Sequence, residues 1–185
     1  NDQLKKFDIV IANPPYSISK WNQEAWKHDP WGRNKYGLPP KGNADYAFFQ
    51  HIICSMKDKT GRCGVLFPHG ILERDAEQEM RKRIIEEDLI DCVVGLGKDL
   101  FYNSSMESCL VFCRTKKDPS KKGKILFIDA RDEITRKQTQ SFLEKHHIDK
   151  IFNAYKDYKD VEGFAKVVSN EEVLNNNGNL NIKLY

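Results

Sequence analysis

A short apolar run that ends at two consecutive prolines most constrains the fold of this chain. Residues 7–12 (FDIVIA) are nearly all apolar, and Asn13-Pro14-Pro15-Tyr16 follows them directly. An apolar run of this length is typical of a strand that is buried on both faces. Because proline lacks a backbone N–H and keeps the preceding residue out of the α region, the strand must end there. The pattern predicts an α/β domain that presents this tetrapeptide at the rim of its sheet.

The rim tetrapeptide has the groups needed to hold an amine that is about to be alkylated. An exocyclic amine such as N6 of adenine is a poor nucleophile, because its lone pair is delocalised into the ring. The Asn13 side-chain oxygen and the Pro14 carbonyl can accept its two hydrogens, while Tyr16 can stack on a base that has left its duplex. We therefore predict Asn13, Pro14 and Tyr16 as catalytic residues. The alternative is an ordinary strand-ending turn.

The same peptide and a series of later motifs resemble one known family. Residues 8–16 look like the catalytic motif of the amino-group methyltransferases that use S-adenosylmethionine. The later motifs follow the order seen in the methylation subunit of type I restriction–modification systems, and the resemblance covers nearly all of the chain. These motifs are residues 35–37, 43–48, 66–70, 84–90, 100–102, 123–130 and 179–182.

The resemblance implies a fold and a domain organisation. It indicates the α/β fold of the second half of a Rossmann-like, S-adenosylmethionine-dependent methyltransferase, with a mixed sheet ending in an antiparallel strand pair. Residues 1–135 would form the C-terminal half of the catalytic domain, and residues 136–185 a C-terminal helical extension packed on it. The chain lacks the Gly-rich turn and the ribose-binding acidic residue that such an enzyme needs. We therefore expect a C-terminal portion of a longer subunit, inactive alone.

The resemblance also implies contacts with a cofactor and a substrate base. The methyl donor would be S-adenosylmethionine, with most of its site outside this chain. The expected cofactor contacts are Asn13, Pro14 and Tyr46. Phe101 or Tyr102 would pair with Tyr16 across a flipped adenine. The alternative, that Phe101 is a core residue and Tyr102 a rim residue, stays open.

The loop that follows Tyr16 is both basic and aromatic. Residues 17–42 contain five basic and two acidic residues, and this excess of three equals the net charge of +3 of the whole chain. All three tryptophans lie in the same loop. Basic groups interleaved with aromatic rings suit a nucleic-acid strand. The expected DNA contacts are Lys20, Trp21, Lys27, Arg33, Lys35 and Lys41. Alternatively, the tryptophans pack together to anchor a loop that is otherwise solvated.

Hydrophobic periodicity predicts alternating strands and helices. Strands are predicted at residues 7–12, 63–67, 89–94, 108–113 and 124–128. Helices are predicted at residues 44–58 (capped by Asn43 or Asp45), 76–87, 139–145 and 149–156, with a last short helix capped by Ser169. The third and fourth strands should be antiparallel neighbours, because the link between them is too short for a parallel crossover.

Composition excludes several classes of protein. No apolar stretch approaches the roughly 20 residues of a membrane helix, and no signal peptide is visible. The five cysteines include no Cys-x-x-Cys pair, which predicts buried free thiols in a reducing cytoplasm and no metal site. The resemblance implies a bacterial or archaeal cell and four partners: double-stranded DNA, the DNA-specificity subunit, a second methylation subunit and the restriction subunit.

The leading hypothesis is site-specific adenine-N6 methylation of DNA by the modification subunit of a type I complex. The methyl group would pass directly to the flipped adenine, without a metal or a covalent enzyme intermediate. Two alternatives stay open. One is S-adenosylmethionine-dependent methylation of another planar amine or amide, such as a protein glutamine or an RNA base. The other is a non-catalytic assembly fragment.

Overall fold

A six-stranded mixed sheet organises the chain. The computed structural model describes residues 3–101 and 105–185. The strands within these ranges are β1 (Ile9–Ala12), β2 (Arg62–Pro68), β3 (Ile90–Leu96), β4 (Ser108–Arg114), β5 (Lys124–Ala130), β6 (Thr135–Lys137), β7 (Gln140–Phe142) and β8 (Ala165–Ser169). The α-helices are α1 (Gln23–Lys27), α2 (Asp45–Cys54), α3 (Gln78–Glu86), α4 (Lys145–Asp157) and α5 (Asn170–Asn175). Every strand except β6 and β7 belongs to the main sheet.

The strand order of the main sheet is β1-β2-β4-β3-β5-β8. β1 runs parallel to β2, and β3 runs parallel to β5. β4 lies antiparallel between β2 and β3, which confirms the predicted antiparallel pairing of the third and fourth strands. Ser108, the first residue of β4, lies opposite both Pro68 and Leu96. The carboxyl ends of β2 and β3 therefore meet the start of β4 at one rim, and at its far edge the sheet ends in the antiparallel pair of β5 and β8.

Two sequence predictions for the C-terminal part are wrong. The predicted helix at residues 139–145 is largely the β6–β7 hairpin, in which Lys137 lies opposite Gln140. Gln138 has a φ of +54°, as tight two-residue hairpin turns require. In addition, β8 adds a strand to the main sheet beside β5. Residues 136–185 are therefore not a purely helical extension, and the domain boundary after residue 135 remains a prediction.

The two faces of the sheet bury different sets of side chains. Helices α2, α3 and α5 pack on one face, where Val65 and Phe67 are fully buried. Helix α4 packs on the other face, over β3 and β5. At β1 the first face is covered, but Ile9 and Ile11 on the second face are 53% and 85% exposed. Only part of the second face is thus covered by the described residues.

None of the helices in residues 3–101 and 105–185 combines the length and apolar character that a membrane span needs. All five cysteines are free thiols, and four of them are buried, as the sequence predicts.

Candidate active site

The Asn-Pro-Pro-Tyr peptide leaves the carboxyl end of β1 at the edge of the sheet. Asn13 is exposed, Pro14 is buried and Tyr16 is half-buried. Because β1 and β2 are parallel, the peptide lies at the same rim of the sheet as Pro68, the last residue of β2. The arrangement keeps a side-chain amide at the surface while the following proline anchors the backbone.

The surroundings of Tyr16 combine apolar burial with nearby polar groups. Burial raises the pKa of Tyr16; the Cys109 thiol and the Asp45 carboxylate raise it further, and the Ser108 hydroxyl lowers it. The phenol is therefore neutral at physiological pH. Ser108 is itself buried, and its Oγ has no hydrogen bond of normal geometry within the described residues. Sequence reasoning did not select Ser108, whose one signal was its position at the start of a strand.

A buried ionic network lies directly behind the turn. The backbone N–H of Ser17 donates to Asp45 Oδ1 at 2.7 Å. Arg74 Nη2 donates to Asp45 Oδ2 at 2.6 Å, and Arg74 Nε donates to Glu77 Oε2 at 2.7 Å. The side chains of Asp45 and Glu77 are 1% and 0% exposed. The network thus joins the peptide after β1, the first turn of α2 and the segment that leads into α3.

Tyr46 occupies a different environment from the one expected of a cofactor contact. Its ring is 1% exposed and packs edge-to-face on Phe49. Its hydroxyl donates to the Ile71 carbonyl at 3.3 Å, and burial raises its pKa. The side chain is enclosed in the core on the inner face of α2, and the expected contact between Tyr46 and the cofactor remains a prediction.

The predicted second aromatic of the base sandwich is only partly described. Phe101 is half-buried, and Tyr102 lies outside the described residues. Pairing of either ring with Tyr16 therefore remains a prediction. No group of three or more His, Cys, Asp or Glu side chains in the described ranges is placed to hold a metal ion.

The start and end of the 17–42 loop meet beside the first turn of α2. Trp21 Nε1 donates to the Pro40 carbonyl at 3.3 Å, and the N–H of Ala44 donates to the Ile18 carbonyl at 3.1 Å. Lys20 and Lys41 are exposed in these two segments. The loop therefore brings two predicted DNA-contacting lysines to the α2 terminus that also carries Asp45.

The middle of the loop lies near the last turns of α2. Arg33 binds Asp29 through Nε at 2.9 Å and through Nη2, and its guanidinium lies 4.8 Å from the ring centroids of both Trp26 and Trp31. Arg33 Nη1 is also 3.4 Å from His51 Nδ1. His51 follows Asp45 by six residues, which corresponds to about 9 Å along the helix. This packing agrees with the alternative that the tryptophans anchor the loop.

Two further lysines that were predicted to contact DNA have acidic partners. Lys35 Nζ lies 2.6 Å from Glu87 Oε2, and Lys27 Nζ lies 2.8 Å from Glu24 Oε2. The charges of Lys27 and Lys35 are offset by these partners, whereas Lys20 and Lys41 remain exposed where the start and the end of the loop meet.

Comparisons with known proteins agree with this arrangement. The family model for N-6 DNA methylases matches residues 1–185. The methylase subunit of the type I restriction enzyme MjaVII of Methanocaldococcus jannaschii is 36% identical, over 96% of this chain and 32% of its own length. The HindI methylase subunit of Haemophilus influenzae is 36% identical, over 93% of this chain and 40% of its own length. The chain thus spans 32% to 40% of the length of these relatives.

A solved structure gives the fold. The methyltransferase subunit of the type I restriction–modification system from Streptococcus thermophilus superposes with a TM-score of 0.89 at 36% identity, over 98% of this chain and 38% of that one. This similarity confirms the predicted methyltransferase fold class. With a family match that spans all 185 residues and an Asn-Pro-Pro-Tyr peptide at the end of β1, the chain belongs to the N-6 DNA methylase family.

Proposed function

We propose that this chain holds the target base in a DNA adenine-N6 methyltransferase of the type I restriction–modification class. The observation that carries the proposal is the Asn-Pro-Pro-Tyr peptide, which presents an exposed Asn13 and a half-buried Tyr16 at the end of β1. The family match and the names of the relatives support DNA as the substrate. Because the relatives are much longer, we assign the activity to a subunit of their length that contains this chain.

The proposed chemistry requires acceptors rather than a strong base. The Asn13 side-chain oxygen and the Pro14 carbonyl accept the two N6 hydrogens and draw the nitrogen toward tetrahedral geometry. Prolines at positions 14 and 15 restrict the backbone, so the acceptors need little reorganisation during the reaction. Tyr16 stacks on the extruded base, and its neutral hydroxyl adds no charge to the pocket. As the N6–methyl bond formed, the sulfur–methyl bond of the donor would break and leave a neutral thioether, and one N6 proton would pass by these acceptors to solvent.

The residues present fit one edge of a cofactor site. S-adenosylmethionine supplies the electrophilic methyl group when bound. Asn13 and Pro14 would border it, since they stand at the strand end where the amine must be held. Tyr46, the third expected contact, has its side chain buried in the core of this chain.

The proposed partners follow from the relatives, which are methylase subunits of type I restriction enzymes. They are double-stranded DNA, a DNA-specificity subunit, a second methylation subunit and a restriction subunit. The proposed location is the cytoplasm of a bacterial or archaeal cell, which DNA as a substrate and relatives from an archaeon and a bacterium support.

The proposal is tested with Asn13→Ala in the full-length subunit, assembled with its complex. We expect the rate of DNA methylation to fall at least about 100-fold, as for loss of one preorganised polar group at a reacting atom. Asn153→Ala, at an exposed position of α4, is the matched control and should retain full activity. Near wild-type methylation by the Asn13 variant would contradict the assigned role. Methyl transfer by the wild-type complex to protein or RNA, and not to DNA, would overturn the substrate.

A further inference from the structure

We propose that Asp45 is a positioning residue for the Asn-Pro-Pro-Tyr peptide, acting through the backbone N–H of Ser17. The catalytic consequence rests on the proposed methyl transfer, whereas the contact itself rests on geometry alone. The Ser17 nitrogen lies 2.7 Å from Asp45 Oδ1, a distance typical of a charge-assisted hydrogen bond.

Ser17 has a backbone conformation that needs external support. Its φ is +51°, in the left-handed region that an L-residue with a Cβ adopts only at an energetic cost. Ser17 comes directly after Tyr16, so this φ sets the direction in which the chain leaves the aromatic residue. A hydrogen bond from Ser17 to a fixed carboxylate offsets the cost and keeps the turn in one conformation.

Asp45 is well suited to provide that support, because three interactions of its own stabilise its charge and its position. It is the first residue of α2, where the helix dipole favours a negative charge. Its backbone N–H donates to Asn43 Oδ1 at 2.8 Å, and its Oδ2 accepts from Arg74 Nη2 at 2.6 Å. With the Asp45 side chain 1% exposed, water does not compete for these contacts.

The position of the turn matters because Asn13 and Tyr16 must meet the same base. Asn13 would hold the amine, and Tyr16, backed by Cys109 and the buried Ser108, would hold the ring. A displacement of about 1 Å at a reacting group can lower a rate about 100-fold. Loss of the Asp45–Ser17 contact should therefore reduce turnover more than it reduces DNA binding.

A purely structural role for Asp45 predicts a different outcome, and Glu77 separates the two. Glu77 is also a buried carboxylate bound to Arg74, at 2.7 Å from Nε, but the backbone N–H of Ser17 donates to Asp45. Removing either carboxylate weakens the same ionic network. Only removal of Asp45 also takes the acceptor from the turn.

The test compares Asp45→Ala, Asp45→Asn and Glu77→Gln in the full-length subunit within its complex. We expect kcat to fall between 10- and 100-fold in Asp45→Ala and about fivefold in Asp45→Asn, which keeps one oxygen acceptor. The KM for DNA should change less than threefold in both. Glu77→Gln should keep kcat within twofold, although its melting temperature falls. If Asp45→Ala does not fold, Asp45→Asn against Glu77→Gln decides.

Amide hydrogen exchange gives a reading that is independent of activity. Since Pro14 and Pro15 carry no amide hydrogen, a peptide over residues 13–18 reports mainly Tyr16, Ser17 and Ile18. We expect faster exchange in both Asp45 variants and unchanged exchange in Glu77→Gln. Equal loss of kcat in Glu77→Gln, or unchanged exchange in the Asp45 variants, would overturn the proposal. If the wild-type complex methylated no DNA, the proposed function would fail while the exchange data still tested the Ser17 contact.

Discussion

The two ends of α2 hold the same 17–42 loop in different ways. At the first turn, the framework shapes the loop: the buried Asp45 carboxylate accepts the backbone N–H of Ser17 and is fixed by Arg74. At the last turns, the loop supplies most of its own contacts, because Arg33 is bound by Asp29 and packs beside His51. The same basic and aromatic composition of the loop therefore accompanies internal packing at the last turns of α2 and exposed charge at its first turn.

The largest effect on stability should come from the part of the loop at the last turns of α2. Arg33→Ala should lower the free energy of unfolding by about 2 kcal/mol, because it removes the charged partner of Asp29, whose side chain is 1% exposed. The variant should keep wild-type DNA affinity and salt dependence. Denaturant unfolding and DNA titration at several salt concentrations measure both quantities.

Lys27→Ala is the control for Arg33→Ala, since it breaks the exposed pair with Glu24 and should change stability by less than about 0.5 kcal/mol. A weaker salt dependence of DNA binding in Arg33→Ala, without loss of stability, would instead place Arg33 on the DNA.

At the first turn of α2, substitutions should change DNA binding and leave stability nearly unchanged. Lys20→Ala or Lys41→Ala should each reduce the slope of log K against log[salt] by about 0.9, the value for one lost phosphate contact. Stability should change by less than about 0.5 kcal/mol, because both side chains are exposed. Lys156→Ala on α4 serves as the exposed control. An unchanged slope in both loop variants would show that the loop contacts DNA no more at the first turn of α2 than at the last turns.

The smallest effect concerns two histidines, His51 near the end of α2 and His69 after β2. Burial lowers the pKa of both below the ordinary value of 6.5; Arg33 lowers that of His51 further while Asp29 opposes it. For His69, Glu73 and Glu107 oppose the shift, and Arg131 and Lys183 add to it. The unfolded chain thus binds more protons than the native protein just below pH 6.5, and stability falls as the pH decreases through that range.

Melting temperatures at pH 7.5 and 5.5 check this expectation. His51→Asn and His69→Asn should each flatten part of the pH dependence. Carboxylates such as Asp29, whose pKa the Arg33 hydrogen bond lowers below the ordinary 3.8, titrate outside this window. A wild-type pH dependence in both variants would show that neither histidine is responsible.

Local chemistry explains which parts of the fold are predictable. The end of β1 follows from two prolines, and the antiparallel pairing of β3 and β4 follows from a link too short for a crossover. The β6–β7 hairpin escapes prediction because its strands are three residues long and mainly polar, so no period stands out. β8 is five residues long with only a short apolar run, and its pairing with β5 is set by tertiary contact.

Prediction of the candidate active site is limited in the same way, because contacts between distant residues do not show in the sequence. A helix-start pattern marks Asp45 as a cap, but the group that it binds, Ser17, is 28 residues away. A local charge count marks Lys35 as available, but its partner Glu87 is 52 residues away. The catalytic peptide is predictable because its groups are adjacent in sequence, whereas the residues that orient it are brought together only by folding.

The positive φ of Ser17 has a consequence for sequence variation. Glycine would adopt this conformation without strain, and asparagine at a small cost, so either can replace serine while the Asp45 hydrogen bond is kept. Valine or isoleucine would crowd the backbone at the same φ. Chains that share this turn should therefore vary at the position after the aromatic residue within a small set of short or flexible side chains, and their partner at the start of α2 should stay acidic.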